Sequence, residues 1–241
     1  MGACGGVQNQ VAAAQSPVDY VNPYMGNISH LLVPTFPTIH LPNSMLRVYP
    51  ERADYTTDML NGLPLIVTSH RGSSAFNLSP YQGDNLRPVV AYSYDNEKLK
   101  PYYYEVVLDD EEINVKYAPS RQSALYQIDY GKRDKPVYMM INSRNGAIKA
   151  GDGFVSGYQQ LENNTRVFLY IESDVAPIET GILADGKIDA GKKEAEGRDA
   201  CAVMRFADGT KTVSLRYGIS FISEEQAKKN LQRELPDYNL Q

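Results

Sequence analysis

The chain has no tryptophan, two cysteines and three histidines in 241 residues. His30, His40 and His70 lie far apart with no Cys or Glu at ligand spacing, which excludes a zinc site. No apolar run approaches the ~20 residues that a membrane helix requires. A net charge of −5 gives no footing for nucleic acid, which needs clustered Lys and Arg. No Ser-His-Asp order, phosphate-binding loop or dinucleotide fingerprint occurs. What remains is an ordinary hydrophobic content of 42% and an excess of tyrosine, 18 against 6 phenylalanines. Tyrosine favours strands and half-buried faces, so the composition reads as sheet-rich, with a carbohydrate-stacking surface as the sharper alternative.

Strand signals recur at short intervals between Gly, Pro, Asn and Asp clusters. They predict strands at 44–49, 64–68, 88–94, 102–108, 113–119, 123–130, 137–142, 154–161, 166–172, 177–183, 200–206 and 212–220. Asp109-Asp-Glu-Glu112 joins two of these runs and reads as a solvated hairpin turn rather than a metal cluster. The stretch 186–197 reads as an exposed loop or short helix, and Asp208-Gly209 as a hairpin turn. Asn22-Pro23 and Gly26 shape a rigid turn. About a dozen short strands and one terminal helix predict an all-β fold, a large antiparallel β-sandwich.

The last thirty residues announce that helix. Ser223-Glu-Glu-Gln226 is a capping box, and Ile222 with Ala227 stands at hydrophobic-staple spacing. Ala227, Leu231 and Leu235 form one thin apolar stripe, and Pro236 ends the helix. The expectation is that this stripe is left exposed for a partner.

The cysteines differ in meaning. Cys201 lies in an apolar strand and reads as a buried, inert thiol. Gly2-Ala3-Cys4-Gly5 looks like the tail of a bacterial lipobox, in which Cys4 becomes lipidated, and the alternative is an incidental cysteine. The Met-Gly start is not a myristoylation signal, because residue 6 is Gly. The tract up to Pro17 then reads as a flexible tether.

Five tracts in order resemble one family. These are Val21-Asn-Pro-Tyr-Met-Gly26, Pro34-Thr-Phe-Pro37 with Leu41-Pro-Asn-Ser-Met-Leu-Arg-Val-Tyr-Pro50, Pro101-Tyr-Tyr-Tyr-Glu-Val-Val-Leu108, Val167-Phe-Leu-Tyr-Ile171 and the tract from Tyr217 to Tyr238. Together, over residues 18–240, they resemble the N-terminal domain of glycoside hydrolase family 92, bacterial exo-acting α-mannosidases. The resemblance implies a galactose-mutarotase-like sandwich over residues 18–222, after a tether at 1–17. A linker helix at 223–241 would lead to a separate, missing (α/α)6 catalytic domain. It places both catalytic carboxylates, and the main contacts to Ca²⁺, in that second domain. No catalytic residue, metal ligand or cofactor is therefore assigned to this chain, and Ca²⁺ is expected only in the complete enzyme.

The contribution expected from this half is a wall of the sugar pocket. Ser69 and His70 match the start of a Ser-His-Thr-His-Leu-Ser-Gly-type motif, while Gly72 stands where the family has its second His. Arg71 brings five donors that could hold a hydroxyl pair or form a surface salt bridge. His30 is a further pocket candidate, and His40 reads as structural. Tryptophans that line the family's pocket have no equivalent. A mannose-containing glycan is the implied ligand, and the lipobox reading implies a periplasmic or outer-membrane lipoprotein, touching a membrane only through its anchor. Two other classes stay open: a standalone lipid-anchored carbohydrate-binding module, and a structural module that binds no sugar. Pairs such as Asp58 with Asp84 could serve a hydrolase, but no spacing singles them out.

Overall fold

The computed structural model describes residues 16–25, 36–52, 57–68, 74–132 and 134–240. Apart from 3-10 turns at Pro17–Tyr20 and Glu162–Asn164 and one terminal helix, the regular structure of the described residues is strand. In order these are β1 (Ile39–His40), β2 (Arg47–Val48), β3 (Met59–Asn61), β4 (Leu63–Ile66), β5 (Ala75–Gln82), β6 (Ala91–Lys100), β7 (Tyr103–Leu108) and β8 (Ile113–Pro119). There follow β9 (Ser123–Tyr130), β10 (Val137–Ala150), β11 (Phe154–Gln160), β12 (Arg166–Ser173), β13 (Glu179–Ala184), β14 (Lys187–Asp189), β15 (Glu194–Phe206) and β16 (Thr212–Ser220), then helix α1 (Glu224–Glu234).

All pairings are antiparallel. β11-β12-β16-β9-β8-β7-β6-β3 form one layer, and β4-β5-β10-β15-β13-β14 the other. Two strands belong to both. Residues 137–142 of β10 pair with β5, whereas residues 146–150 pair with β11. β15 accompanies β10 across that change, from Val137↔Phe206 to Lys149↔Glu194. The expected all-β sandwich is thus the observed fold. Its buried centre draws on both layers, from Leu65 and Leu78 to Val115, Leu169 and Leu215.

The tyrosine excess finds its explanation here. Tyr92, Tyr104, Tyr117, Tyr126, Tyr130 and Tyr217 are all at most 2% exposed. The hydroxyls of Tyr92, Tyr126, Tyr130 and Tyr217 meet main-chain carbonyls, whereas Tyr104 donates to the Glu97 carboxylate and Tyr117 meets the Tyr217 hydroxyl. Tyr126 donates to Pro64 O and Tyr217 to Leu65 O, each at 2.7 Å, which joins β9 and β16 to β4 in the opposite layer. Tyr92 donates to Pro80 O at 2.7 Å. In an antiparallel strand a residue's N–H and C=O point to the same edge, so Pro64 and Pro80 turn their N–H-less side toward these tyrosines and cost no ladder bond.

That device hid β5 from sequence reading. Its Ala75-Phe-Asn-Leu-Ser-Pro-Tyr-Gln82 does not alternate, because both faces are covered, Asn77 and Ser79 included. The prediction for 186–197 is also corrected: the segment is the β13–β14 hairpin followed by the start of β15. Asp208-Gly209 does form a turn, but β15 and β16 do not pair, so it links strands rather than closing a hairpin. The acidic tract does close the β7–β8 hairpin, with Leu108 opposite Ile113.

The exposed helix stripe is overturned. Ala227 and Leu231 are fully buried against Tyr170, with Phe154, Phe168 and Leu235 beside them. Gly218 permits this approach, since a Cβ there would stand 2.3 Å from Ala227 O. Asn230 Nδ2 donates to Ile219 O at 2.8 Å and locks the helix to β16. The cap is half of the predicted box: Gln226 N donates to Ser223 Oγ at 3.1 Å, but the Gln226 side chain turns to Asn230. Ile222 is 76% exposed, so no staple forms. At the other end, Asp19 ties the chain to β6 and its turn, receiving Lys100 Nζ on its carbonyl at 2.6 Å and the Tyr102 hydroxyl on its carboxylate. The tether reading for residues 1–15 lies outside the described residues.

Tyr126→Phe is expected to lower unfolding free energy by about 1–3 kcal/mol, because Pro64 O loses the Tyr126 hydroxyl as donor while the ring still fills its space. Urea denaturation measures this. Burial raises the pKa of Tyr92, Tyr104, Tyr126, Tyr130 and Tyr217 well above the ordinary value. The unfolded chain releases these protons near pH 10 and the folded one does not. Stability is therefore expected to be intact below about pH 10 and to fall as pH rises beyond it, with the tyrosinate absorbance of these five buried residues appearing only on unfolding.

Candidate functional site

Ser69, His70, Arg71, His30 and Cys4 all lie outside the described residues. The stems of the segment holding the first three are described. On one side Val67 N donates to Arg47 O at 2.8 Å. On the other, Ser74 donates twice to Glu51 Oε2, from N at 3.2 Å and from Oγ at 2.6 Å. Glu51 Oε1 accepts from Arg144 Nη2 at 2.6 Å. These three donors replace the hydration that the Glu51 carboxyl group loses at 8% exposure.

The next residue works in the opposite sense. Arg52 Nη2 donates to Glu97 Oε1 at 2.5 Å, with side-chain exposures of 6% and 10%. Glu97 also accepts from Tyr104 at 3.1 Å and from Tyr24 at 2.8 Å, and the Arg52 guanidinium lies 5.0 Å from the Tyr94 ring centre. Burial, then Glu97, push the Tyr24 hydroxyl well above its usual pKa. Adjacent residues of opposite charge therefore fasten three separate stretches: Ser74 before β5, Tyr24 near the N-terminus, and the segment following β2.

Beside this hub the two long strands change layers. Met139 and Ile141 of β10 face the main core and Met140 faces away, yet farther along it is Ile148 and Ala150 that face inward. The switch falls where no pair forms between Arg144 and Asp199, although Ser143↔Ala200 and Asn145↔Arg198 flank them. Asp199 is left-handed there, with φ 57°. Close by, buried Phe76 is also left-handed, at φ 56°, and its N–H and that of Arg144 share Gln159 Oε1 at 2.8 and 3.1 Å. Non-glycine residues in this region cost of order 1 kcal/mol and concentrate at functional sites.

The broken ladder opens a cavity of about 420 Å³ lined by Glu51, Asn61, Val89, Arg144, Arg198 and Asp199. A second recess, of about 340 Å³, lies at the Thr68 end of the same loop, among His40, Met45, Arg47 and Phe221. His40 is exposed, with Nε2 3.0 Å from Ser44 O, consistent with its structural reading. Asp58 and Asp84 are exposed and line neither space. Among the described residues, no group of three or more His, Cys, Asp or Glu could hold a metal ion. None of the helices they form is long and apolar enough to cross a membrane. Cys201 is 1% exposed and burial raises its thiol pKa, so it is inert, as predicted.

Sequence reasoning missed Glu51, Arg144 and Asp199. The one available signal was Asn142-Ser-Arg-Asn145, a polar interruption in the middle of an otherwise apolar strand.

A family model described as the glycosyl hydrolase family 92 N-terminal domain matches residues 20–220. Among solved structures, the chain is similar to a family GH92 inverting mannosidase from Bacteroides thetaiotaomicron VPI-5482. The TM-score is 0.79 and the identity 21%, over 94% of this chain and 35% of that one. It is also similar to a family GH92 α-mannosidase from Bacteroides thetaiotaomicron, with a TM-score of 0.77 and 19% identity over 90% of this chain and 34% of that one. The chain thus spans about a third of these proteins, and the likeness shows a shared fold. No curated protein matches.

Glu51→Ala is expected to destabilise by about 2–3 kcal/mol, since Arg144 and Ser74 lose a charged acceptor together, and Glu51→Gln by less. Thermal and urea unfolding of the two variants measure the difference.

Proposed function

From the premise that the chain belongs to the glycosyl hydrolase family 92 N-terminal domain family, we propose that it is the β-sandwich part of an exo-α-mannosidase-like enzyme. In this reading it shapes the sugar pocket and packs on a separate (α/α)6 catalytic domain. The observation that carries it is the family match over residues 20–220. Hydrolysis of the inverting kind needs two carboxylates placed across a water, and the resemblance puts both in the helical domain. The chemistry, and the Ca²⁺, belong to the helical domain, and this chain supplies a wall.

The residues proposed for that wall are Ser69, His70 and Arg71, together with His30. Its support is the way Glu51 and Arg52 fasten the stems around the cavity. The packing face is the rim at the Thr68 end, where Met45, Phe221 and Ile222 are 44%, 39% and 76% exposed. Large apolar side chains held in water this close together mark a contact surface. Lipidation at Cys4 would hold the enzyme at a periplasmic or outer-membrane surface. A mannose-containing glycan is the substrate class.

One observation favours the second reading, a self-sufficient, lipid-anchored carbohydrate-binding module. Helix α1 is docked on its own sheet through Ala227 and Leu231 instead of waiting for a partner.

The purified 241-residue chain is expected to show no turnover of a chromogenic α-mannoside, with or without Ca²⁺. Turnover by this chain alone would overturn the division of labour. Joined to a helical catalytic domain it is expected to become active, and Phe221→Ser with Ile222→Ser to weaken that assembly on size-exclusion chromatography.

A further inference from the structure

We propose that the cavity where β10 and β15 change layers binds a neutral, polyhydroxylated ligand of the size of one pyranose ring, held by Arg198, Asp199 and the Glu51–Arg144 pair. The choice of a sugar rests on the glycosidase reading above; the site itself rests on geometry.

Three observations carry it. First, the space is about 420 Å³, within the range of small-molecule sites, and it is lined by Arg144 and Asp199, where the β10–β15 ladder is interrupted. Second, hydrogen-bonding groups of the lining other than the Glu51 carboxylate are not used up by the fold. Arg198 and Asp199 are exposed at the wall and have no side-chain partner among the described residues. Beneath them Arg144 Nε is buried and unpartnered, and so are both amide atoms of Asn142, two residues along the same strand. Asn142 is 0% exposed and stands opposite Asn77, whose amide donates to the carbonyl of cavity-lining Asn61 at 2.8 Å. Buried polar groups without partners are rare, and Arg144 Nε in the lining, with Asn142 two residues away, marks a place the fold keeps for something else. Third, Asp199 holds a left-handed backbone that glycine would adopt without strain, so the carboxylate is retained at a cost to stability.

The chemistry of the lining selects the ligand. Two guanidiniums and two carboxylates balance, so neither an anion nor a cation gains net attraction. A ring with adjacent hydroxyls donates to Asp199 and Glu51 while accepting from Arg198 and Arg144, and arginine's planar fork suits a neighbouring pair of oxygens.

The test is isothermal calorimetry of the 241-residue chain with methyl α-D-mannopyranoside, alongside thermal unfolding. The native chain is expected to bind weakly, in the millimolar range. Asp199→Gly is expected to lose at least tenfold in affinity while its Tm holds or rises by about 2–4 °C. Arg198→Ala, an exposed substitution that the fold tolerates, is expected to weaken binding at an unchanged Tm. Binding that survives both substitutions, or no heat from the native chain with this or any other pyranoside, would overturn the proposal. Neither result would touch the proposed division of labour, which only turnover by the chain alone defeats.

Discussion

The sandwich depends on tyrosine hydroxyls that cross from one layer to main-chain carbonyls of the other. A purely aliphatic core could fill the same space, but it would leave the outward carbonyls of Pro64 and Leu65 buried and unpaired. Tyr126 and Tyr217 solve packing and polarity together, and their rings lie close to Tyr117, with centroids 4.6 Å apart for Tyr117 and Tyr126. The short strand β4 can therefore run inside the molecule with all four residues buried while pairing on only one side. Because β4 leads directly into Thr68, the same bonds set the height from which the candidate sugar-contacting loop departs.

Where polar and apolar residues alternate, the strand announced itself. β8, β9 and β16 match the alternation of Ile113-Asn-Val-Lys-Tyr117 and its neighbours at both ends. In β5 that alternation is missing. β5 carries Asn77, Ser79 and Pro80 in a fully enclosed strand, and only its partners make those residues tolerable. The helix was legible as a helix from its cap and stripe, but its docking was not. That depended on Gly218 and Tyr170, which look unremarkable until β12 and β16 are paired.

The site was less legible than the fold for a related reason. A resemblance can point to Ser69, His70 and Arg71 because motifs are contiguous. The hub beside the described ends of that segment is assembled from Tyr24, Glu51, Arg52, Glu97 and Arg144, which no local spacing connects. Charged residues in a sequence read as solvated by default, and only burial shows which of them are not. The left-handed Phe76 and Asp199 are equally silent in one dimension, since neither residue type favours that backbone enough to announce it.

The sharing of β10 and β15 has a consequence for how the molecule comes apart. Neither layer owns a full set of strands, so peeling one away would tear two strands in half along their length. The layers cannot fray in turn as separate foldons; they melt as one cooperative unit. Its formation must wait for pairings such as Met140↔Ser79 and Met140↔Val203, each some sixty residues apart along the chain. A chain so dominated by distant pairings is slow to assemble, and once assembled it has no half-folded refuge.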